Sequence, residues 1–346
     1  MRIARARAFA RSALLGNPSD AYGGRTISFA FTNLEAGVVV YEWPRLEIVP
    51  GPSDQVSFSN LRELVGDVEA NGYYGGLRLV KATLKRFADW CDEQSIQVER
   101  PFSIRYESTI PRGVGLGGSS AIVTAVLRGL LEFHEIEIAL DHLPGLALSA
   151  ETEELGIAAG LQDRVAQAFQ GLTYMDFDPE ALAARGHGSS EPLDPSLLPP
   201  LVIAYAPTAA QPSHEAHRAV RDRFLAGDVE IRATMGSIAE LADRGREALL
   251  TRNAAELGRL MLENLELRRQ IFELEPRHLR MAEVAAELGI PANYAGSGGA
   301  IVALAGPEAA AELRRQLGAE GCTVIEPRIA EAIGRAASAK GNGPPP

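Results

Sequence analysis

The chain has 346 residues, enough for about two domains, and its 46% hydrophobic and 23% charged residues are ordinary for a globular protein. Its net charge of −11 argues against nucleic acid or an anionic membrane surface as a partner, because both attract cationic proteins. Cys91 and Cys322 lack the spacing of a zinc site or a disulfide framework, so we expect a reducing cytoplasm. No apolar run approaches the roughly 18 residues of a membrane span, and the Arg-rich N-terminus is too broken by charges to predict a targeting peptide.

Strands and helices alternate along the predicted secondary structure. Alternating or continuous apolar runs predict strands at 3–10, 37–43, 46–49, 103–110, 172–177, 201–206, 300–304 and 322–326. Apolar residues at helical spacing predict helices at 77–90, 120–133, 142–154, 161–169, 214–226, 230–250, 254–272, 277–288 and 307–318. We expect the strands at 37–43 and 46–49 to form an antiparallel meander. The Pro-rich connector 186–200 marks the best candidate for a domain boundary.

Residues 111–121, here called the glycine loop, read PRGVGLGGSSA and stand between a predicted strand and a predicted helix. Glycines there can serve a tight turn that needs positive φ angles. They can also bare backbone N–H groups that bind a phosphate at the helix N-terminus. Gly113, Gly115 and Gly118 formally match GxGxxG, but a dinucleotide site needs a buried parallel strand before the loop and a ribose-binding acid after it. Neither is found, and a Walker GxxxxGK[ST] sequence is absent as well.

The glycine loop resembles the second signature of the GHMP small-molecule kinases, the superfamily of galactokinase, homoserine kinase and mevalonate kinase. Two further segments resemble the other signatures in the expected order. Residues 11–20 (RSALLGNPSD), followed by Gly23 and Gly24, are similar to the first, and residues 295–302 (AGSGGAIV) are similar to the third. We call residues 296–299 the C-terminal glycine turn. Three ordered motifs are far more specific than one glycine loop.

Within this superfamily the chain most resembles the glucuronokinases, through LLGNPSDAYGGRTISF, NGYYGGLRL, GLGGSSAIV, LGIAAGLQDRVAQ, GLTYMDF and AGSGGAIV. The resemblance implies an α+β, two-lobed fold of GHMP-kinase type. We expect an N-terminal mixed-sheet ATP-binding domain over 1–190, a helix-rich C-terminal domain over 191–335 and a disordered tail over 336–346. It also implies that the protein is an ATP-dependent sugar-1-kinase that phosphorylates the anomeric hydroxyl of D-glucuronate.

The resemblance implies that ATP and Mg²⁺ bind in a cleft between the lobes, closed by the two glycine segments. Ser120 would coordinate Mg²⁺ together with Glu151, since Mg²⁺ prefers hard oxygen ligands. Ser120 can also be a helix cap, and Ser119 is expected to assist phosphate contacts. The expected ATP-binding residues are Pro111, Gly113, Gly115, Leu116, Gly117, Gly118, Ser119, Ser120 and Ala121.

Phosphoryl transfer requires positioning, charge neutralisation and a base for the attacking hydroxyl. The family pattern implies that Asp163 is this group, either as a general base or as an orienter. Arg11 would lie near it, keep it ionised and stabilise the transferring phosphoryl group. Without the family pattern, Arg11 reads as a surface charge and the separation of Glu151 and Asp163 is a weak signal.

The expected sugar site includes Asp20, which would accept hydrogen bonds from sugar hydroxyls. A uronic acid also needs a cation for its carboxylate, and Arg25 and Arg164 are the candidates because they adjoin inferred site residues. The expected substrate-binding residues are Asn17, Ser19, Asp20, Arg25, Arg164, Gly296, Ser297 and Gly298. Residues 17–20 can also be a simple turn, and Tyr73 and Tyr74 fit a pocket wall or the core.

Three alternatives stay open at this point. The chain can be a GHMP kinase for galactose, galacturonate, a heptose phosphate or a polyol, or an ATP-dependent decarboxylase of the same superfamily. It can also be a non-catalytic ligand-binding relative, which would be expected to have lost Arg11, Ser120, Glu151 or Asp163. All four residues are present. The expected partner is a small sugar or uronic acid, and the sequence leaves the oligomeric state open.

Overall fold

The computed structural model describes residues 1–51, 54, 59–71, 75–206 and 214–333. Its strands are β1 (Ile3–Leu15), β2 (Arg25–Glu42), β3 (Glu47–Val49), β4 (Phe102–Ser108), β5 (Leu172–Asp176), β6 (Ser189–Leu193), β7 (Leu201–Tyr205), β8 (Ala292–Tyr294), β9 (Ala300–Leu304) and β10 (Thr323–Ile325). Its α-helices are α1 (Leu61–Asn71), α2 (Gly76–Glu93), α3 (Gly118–His134), α4 (Leu143–Thr152), α5 (Gln162–Phe169), α6 (Pro179–Arg185), α7 (His214–Leu225), α8 (Val229–Leu250), α9 (Ala254–Ile271), α10 (Pro276–Glu287) and α11 (Pro307–Ala319). The fold is α+β, as expected.

The first sheet is built around β2, a strand of 18 residues. β1 pairs antiparallel with one edge of β2 along most of its length, and the other edge pairs with β5 and then with β4. α3 packs on β1 and β2, and a Cβ on Gly129 would lie 3.1 Å from Val40 Cγ2. This close packing presses the helix that follows the glycine loop against the central strands.

The second sheet has the order β10-β7-β9-β8 and is entirely antiparallel. α8 packs against β2 of the first sheet, and α9 packs against β8 of the second. One hydrophobic core cluster includes Leu15 of β1, Met261 of α9 and Val302 of β9. The described parts of the two halves therefore share a core.

Two features of the first sheet differ from the prediction. β3 does not form a meander with β2, because β4 lies between them and β3 pairs with β4 in parallel. A parallel pair needs a long crossover, and the chain that contains α1 and α2 supplies it. β2 also begins at Arg25, well before the predicted start at 37. Its first five residues pair with β5, and most of its first half is buried.

The sequence did not predict four short elements: α1, α6, β6 and β8. β6 lies inside the expected connector, where SSEPL has no apolar alternation. Among the described strands it pairs with β5 alone, at the sheet edge, where a proline is tolerated. The change of sheet therefore falls after Leu193, and the division into domains at 190 stays a prediction. The predicted tail, Tyr73 and Tyr74 lie outside the described residues. Among the described helices, none combines the length and apolarity that a membrane crossing requires.

Candidate active site

Arg11 lies at the centre of the candidate active site. It belongs to β1, and its side chain is buried. The guanidinium donates through Nε to Asp163 Oδ1 (2.7 Å) and through Nη1 to the carbonyl oxygens of Gly115 (2.8 Å) and Ala295 (2.5 Å). One side chain thus joins the glycine loop, the residue before the C-terminal glycine turn and the first turn of α5.

The two glycine segments pack directly on one another. A Cβ on Gly115 would lie 2.5 Å from the carbonyl oxygen of Gly298. A Cβ on Gly296 would overlap the carbonyl oxygen of Gly115 and lie 2.7 Å from Arg11 Nη1. The backbones can approach this closely because both positions lack side chains.

The glycine loop has the backbone of an anion site. Gly113, Gly115 and Gly117 have φ angles of +70°, +70° and +74°. Left-handed residues at alternate positions are typical of a nest of backbone N–H groups that binds anions. The loop continues into α3, which begins at Gly118 and presents the positive end of its dipole there. This arrangement can bind phosphate.

Two carboxylates, those of Asp163 and Asp20, lie close to one another beside Arg11. Burial alone would raise the pKa of Asp163, but the charges of Arg11 and Arg164 and the Arg11 hydrogen bond outweigh it and hold the pKa below its usual value. Burial, with the nearby charge of Asp163, raises the pKa of Asp20 to about 6. At neutral pH Asp163 is therefore ionised and Asp20 lies nearer to its titration point.

Glu151 is fully buried beside the N-terminus of α3. Its Oε1 accepts a hydrogen bond from Ser119 Oγ (2.8 Å), and its Oε2 is paired with both Nε and Nη2 of Arg164. Ser120 Oγ donates instead to the carbonyl of Gly117 (3.0 Å). The hydroxyl that the structure brings to Glu151 is therefore that of Ser119, not the expected hydroxyl of Ser120.

Both arginines that were candidates for a substrate carboxylate already have acidic partners. Arg164 pairs with Glu151, and its Nη1 donates to the carbonyl of Gly160 (2.8 Å). Arg25 Nε lies 3.0 Å from Asp243 Oδ2, an ion pair whose geometry leaves Nε without a hydrogen bond among the described residues. Binding a substrate carboxylate would require either arginine to share or exchange its partner.

The predicted substrate residues near Asp20 are largely engaged inside the protein. Asn17 Nδ2 donates to the carbonyl of Tyr294 (3.1 Å), and Ser19 Oγ donates to the carbonyl of Arg25 (3.0 Å). Asn17 and Ser19 are buried. In the C-terminal glycine turn, Ser297 is exposed while its two glycine neighbours are buried. Asn17 thus joins the loop to Asp20 to the chain around the start of the C-terminal glycine turn, and Asp20 and Ser297 are the more accessible polar side chains.

Three residues that help to build the site were not predicted from the sequence. Gln167 Nε2 donates to the carbonyl of Gly117 (2.7 Å), Asn264 Oδ1 accepts from the N–H of Gly16 (2.8 Å), and a Cβ on Gly160 would overlap Asp20 Oδ2. Gln167 and Gly160 stand within LGIAAGLQDRVAQ, and Gln167 is four residues after Asp163 on α5. Residues four apart share a helix face, so that spacing was an available signal.

Two family models match the chain. The model of the GHMP kinases N terminal domain matches residues 78–171, which include the glycine loop and Asp163. The model of the GHMP kinases C terminal domain matches residues 246–323, which include the C-terminal glycine turn.

Curated relatives and solved structures agree with these matches. Glucuronokinase 1 of Arabidopsis thaliana is 43% identical over 333 residues, which cover 94% of this chain and 91% of the relative. Probable glucuronokinase 2 of the same plant is 45% identical over 304 residues, which cover 86% and 82%. The crystal structure of the Lactococcus lactis galactokinase in complex with galactose superposes with a TM-score of 0.71 at 15% identity, over 95% of this chain and 94% of the galactokinase.

Proposed function

The chain belongs to the GHMP kinase family and is a sugar kinase, and we propose that it transfers the γ-phosphoryl group of ATP to the anomeric hydroxyl of D-glucuronate. The products are glucuronate 1-phosphate and ADP. The observation that carries the proposal is the 43% identity to a glucuronokinase over 94% of the chain. Membership of a kinase family implies ATP as the phosphoryl donor, and the free thiols of Cys91 and Cys322 support a cytoplasmic location.

The glycine loop binds the phosphates of ATP in this proposal. Its alternating left-handed glycines and the N-terminus of α3 offer backbone N–H groups and a positive dipole to the phosphate oxygens. Arg11 supports the loop from beneath through the carbonyl of Gly115, and Gln167 does so through the carbonyl of Gly117. We assign ATP binding to the residues of this loop that were expected from the sequence, between Pro111 and Ala121.

Asp163 interacts directly with the attacking hydroxyl in this proposal. Its lowered pKa keeps it ionised at neutral pH, so it accepts a hydrogen bond from the anomeric hydroxyl and aligns the oxygen with the γ-phosphorus. A carboxylate of low pKa is a weak base, and phosphoryl transfer through a loose transition state needs little proton removal before the bond forms. We therefore assign Asp163 mainly to orientation. Arg11 balances negative charge on Asp163 and on the transferred group.

The oxygens of Ser119 and Glu151 suit a magnesium ion. Ser119 Oγ and Glu151 Oε1 are 2.8 Å apart, close to the ~3 Å between neighbouring ligands of an octahedral Mg²⁺ with bonds of about 2.1 Å. These two side chains would hold the ion, with Ser120 supporting the loop through Gly117. Bound Mg²⁺ neutralises phosphate charge. Arg164 positions the Glu151 carboxylate from its other oxygen.

The sugar lies beside Asp20 and the C-terminal glycine turn. Asp20 accepts hydrogen bonds from sugar hydroxyls, and Gly160 leaves room for its carboxylate. Asn17 and Ser19 act indirectly, because their side chains hold the Asp20 loop to Tyr294 and Arg25. Gly296, Ser297 and Gly298 form the opposite wall in this proposal.

A substrate panel tests the proposed function. The purified protein is assayed with ATP, Mg²⁺ and, in turn, glucuronate, galacturonate, glucose and galactose. ADP release gives kcat/KM, and phosphorus NMR identifies the product. We expect the highest kcat/KM with glucuronate and a stable 1-phosphate. Preference for galactose, or release of carbon dioxide, would contradict the proposal.

The Asp163→Asn variant, measured in the same assay, tests the catalytic role of Asp163. It preserves size and can still hydrogen bond, so ATP binding should persist. We expect kcat to fall by about 10²- to 10³-fold, the range for the loss of one positioned hydrogen-bonding group in an active site. A variant as active as the wild type would show that Asp163 has another role.

A further inference from the structure

Arg268 is a buried cation whose guanidinium is incompletely paired. It lies on α9 and is 1% exposed. Its Nε and Nη1 have no hydrogen-bond partner in the described part of the chain, and the guanidinium carbon stands 5.2 Å from the Tyr294 ring and 5.6 Å from the Phe272 ring. Burial lowers the pKa of Arg268 to about 10, which still leaves it charged at neutral pH. A buried charge without a hydrogen-bonding partner is costly, so its presence calls for an explanation.

The position of Arg268 relates it to the proposed sugar site. It follows Asn264 by one helical turn on the same face of α9. Asn264 holds the loop that leads to Asp20, through the N–H of Gly16 (2.8 Å) and the carbonyl of Asn17 (3.1 Å). The charges of Arg11 and Asp20 both act on Arg268. The unpaired guanidinium thus lies on the helix that holds the loop to Asp20, and it stands beside the ring of Tyr294, whose carbonyl accepts a hydrogen bond from Asn17 of the same loop (3.1 Å).

The other two candidate arginines for a substrate carboxylate already have acidic partners. Arg164 is paired with Glu151 and Arg25 with Asp243. We propose that Arg268 recognises the carboxylate of the uronic acid substrate and determines the preference of the enzyme for a uronate over a neutral sugar. The inference rests on the proposed function. A carboxylate supplies the acceptors that Nε and Nη1 lack, whereas a neutral sugar leaves the buried charge uncompensated.

The test replaces the guanidinium by an apolar side chain of similar length. Arg268→Met is compared with Arg269→Met, the adjacent and exposed arginine on the same helix, and kcat/KM is measured for glucuronate and for glucose. For Arg268→Met we expect a fall of about 10- to 100-fold with glucuronate, from the lost charged hydrogen bonds, and little change with glucose. Arg269→Met should match the wild type with both sugars. An unchanged ratio of the two kcat/KM values in Arg268→Met overturns the assignment.

Thermal unfolding supplies a readout that is independent of turnover. Without ligand, Arg268→Met should unfold at the same temperature as the wild type or a higher one, because it removes an uncompensated buried charge. Glucuronate should raise Tm for the wild type and Arg269→Met but not for Arg268→Met. Equal stabilisation of all three by glucuronate overturns the assignment.

A second variant keeps the test decisive if Arg268→Met does not fold. Arg268→Lys retains the charge with fewer donors, so its glucuronate kcat/KM should fall by about 10-fold with glucose unaffected. An unchanged ratio in this variant also counts against Arg268. Failure of the proposed function looks different, since the wild type itself would then show no preference for glucuronate.

Discussion

Asp20 and Asp163 are identical side chains with opposite pKa displacements beside the same arginines. Asp163 has the Nε of Arg11 at 2.7 Å and the charge of Arg164 nearby, which outweigh burial. For Asp20 burial is the largest influence, and its hydrogen bond from the N–H of Gln162 is longer, at 3.2 Å. The pair matches a division of labour in which one carboxylate stays ionised for catalysis and the other binds hydroxyls.

Replacing Asp20 by Asn should therefore stabilise the protein at neutral and alkaline pH. The folded-state pKa of about 6 lies above the ordinary 3.8, so folding favours the protonated form, and this stabilisation is lost as pH rises through 6. At pH 8 the Asn variant should be more stable by up to about 3 kcal/mol, and the difference should shrink as pH falls from 6 towards 4. Tm measured against pH for both proteins checks this.

Asp163→Asn should shift stability in the opposite direction. Its folded-state pKa is lowered, so the ionised form stabilises the fold above the ordinary pKa, and the variant replaces the charged acceptor of Arg11 Nε by a neutral one. We expect a lower Tm than wild type at pH 8.

For the Asp20 prediction, destabilisation by Asp20→Asn at pH 8 would show instead that contacts stabilise the ionised form of Asp20.

At the scale of elements, β1 shows how packing extends a weak sequence pattern. Up to Ala10 its side chains alternate between buried and exposed, and the sequence predicted a strand to that point. From Ala10 to Leu15 every residue is buried, because α3 and elements of the C-terminal half (α8, α9 and β8) pack against the strand. The N–H of Arg11 donates to the carbonyl of Leu116 (3.1 Å), and the N–H of Ala13 donates to the carbonyl of Ala295 (2.8 Å). Both glycine segments are thus attached to the strand that carries Arg11.

A methyl group at Gly296 should disturb this junction. In Gly296→Ala the new Cβ would overlap the carbonyl of Gly115 and press on the Arg11 guanidinium. Because small displacements of positioning groups are costly, we expect kcat to fall on the order of 10²-fold with a smaller effect on Tm. Steady-state kinetics with saturating ATP measure this.

Gly318→Ala is the matched control for that substitution. A Cβ at this position in α11 meets no atom of the described residues within 4 Å. It should leave kcat unchanged and add roughly 0.5–1 kcal/mol of stability, since alanine loses less backbone entropy than glycine in a helix. Equal kcat in the two variants would argue that the contact between the glycine segments is dispensable.

Across the whole molecule, buried amides connect the two halves. Asn264 of α9 binds the backbone of Gly16 and Asn17, and Asn293 Nδ2 of β8 donates to the carbonyl of Leu14 (3.2 Å). Asn264 and Asn293 are fully buried. The end of β1 and the loop to Asp20 are therefore held by groups from the C-terminal half, so the sugar site depends on both halves.

Asn264→Ala should weaken stability and substrate binding together. It leaves the N–H of Gly16 and the carbonyl of Asn17 without their partners, and each unsatisfied buried group costs about 1–3 kcal/mol. We expect a loss of about 2–4 kcal/mol in urea unfolding and a higher KM for the sugar. Glu266→Gln on the exposed side of α9 is the control and should change neither. A variant with wild-type stability would mean that water replaces the amide.

The sequence predicted the helices and strands that have strong periodicity, and β9 was predicted with the observed bounds. It also identified Arg11 and Asp163, through motifs rather than periodicity, and the structure joins them by an ion pair across 152 positions. β3 was misplaced because strand partners depend on crossovers, and β6 was missed because a short edge strand needs no apolar face. Local patterns carry little information about either.

By itself the sequence determined the family, the α+β class and the position of both glycine segments, because backbone conformation and apolar periodicity are encoded within short stretches of chain. Only the tertiary structure decided which polar groups find partners. Ser119 rather than Ser120 lies beside Glu151, Arg164 and Arg25 are paired, and Arg268 keeps unpaired donors. Burial, charge and hydrogen bonding at a site depend on residues that are far apart in the sequence. They are therefore determined only when the chain has folded.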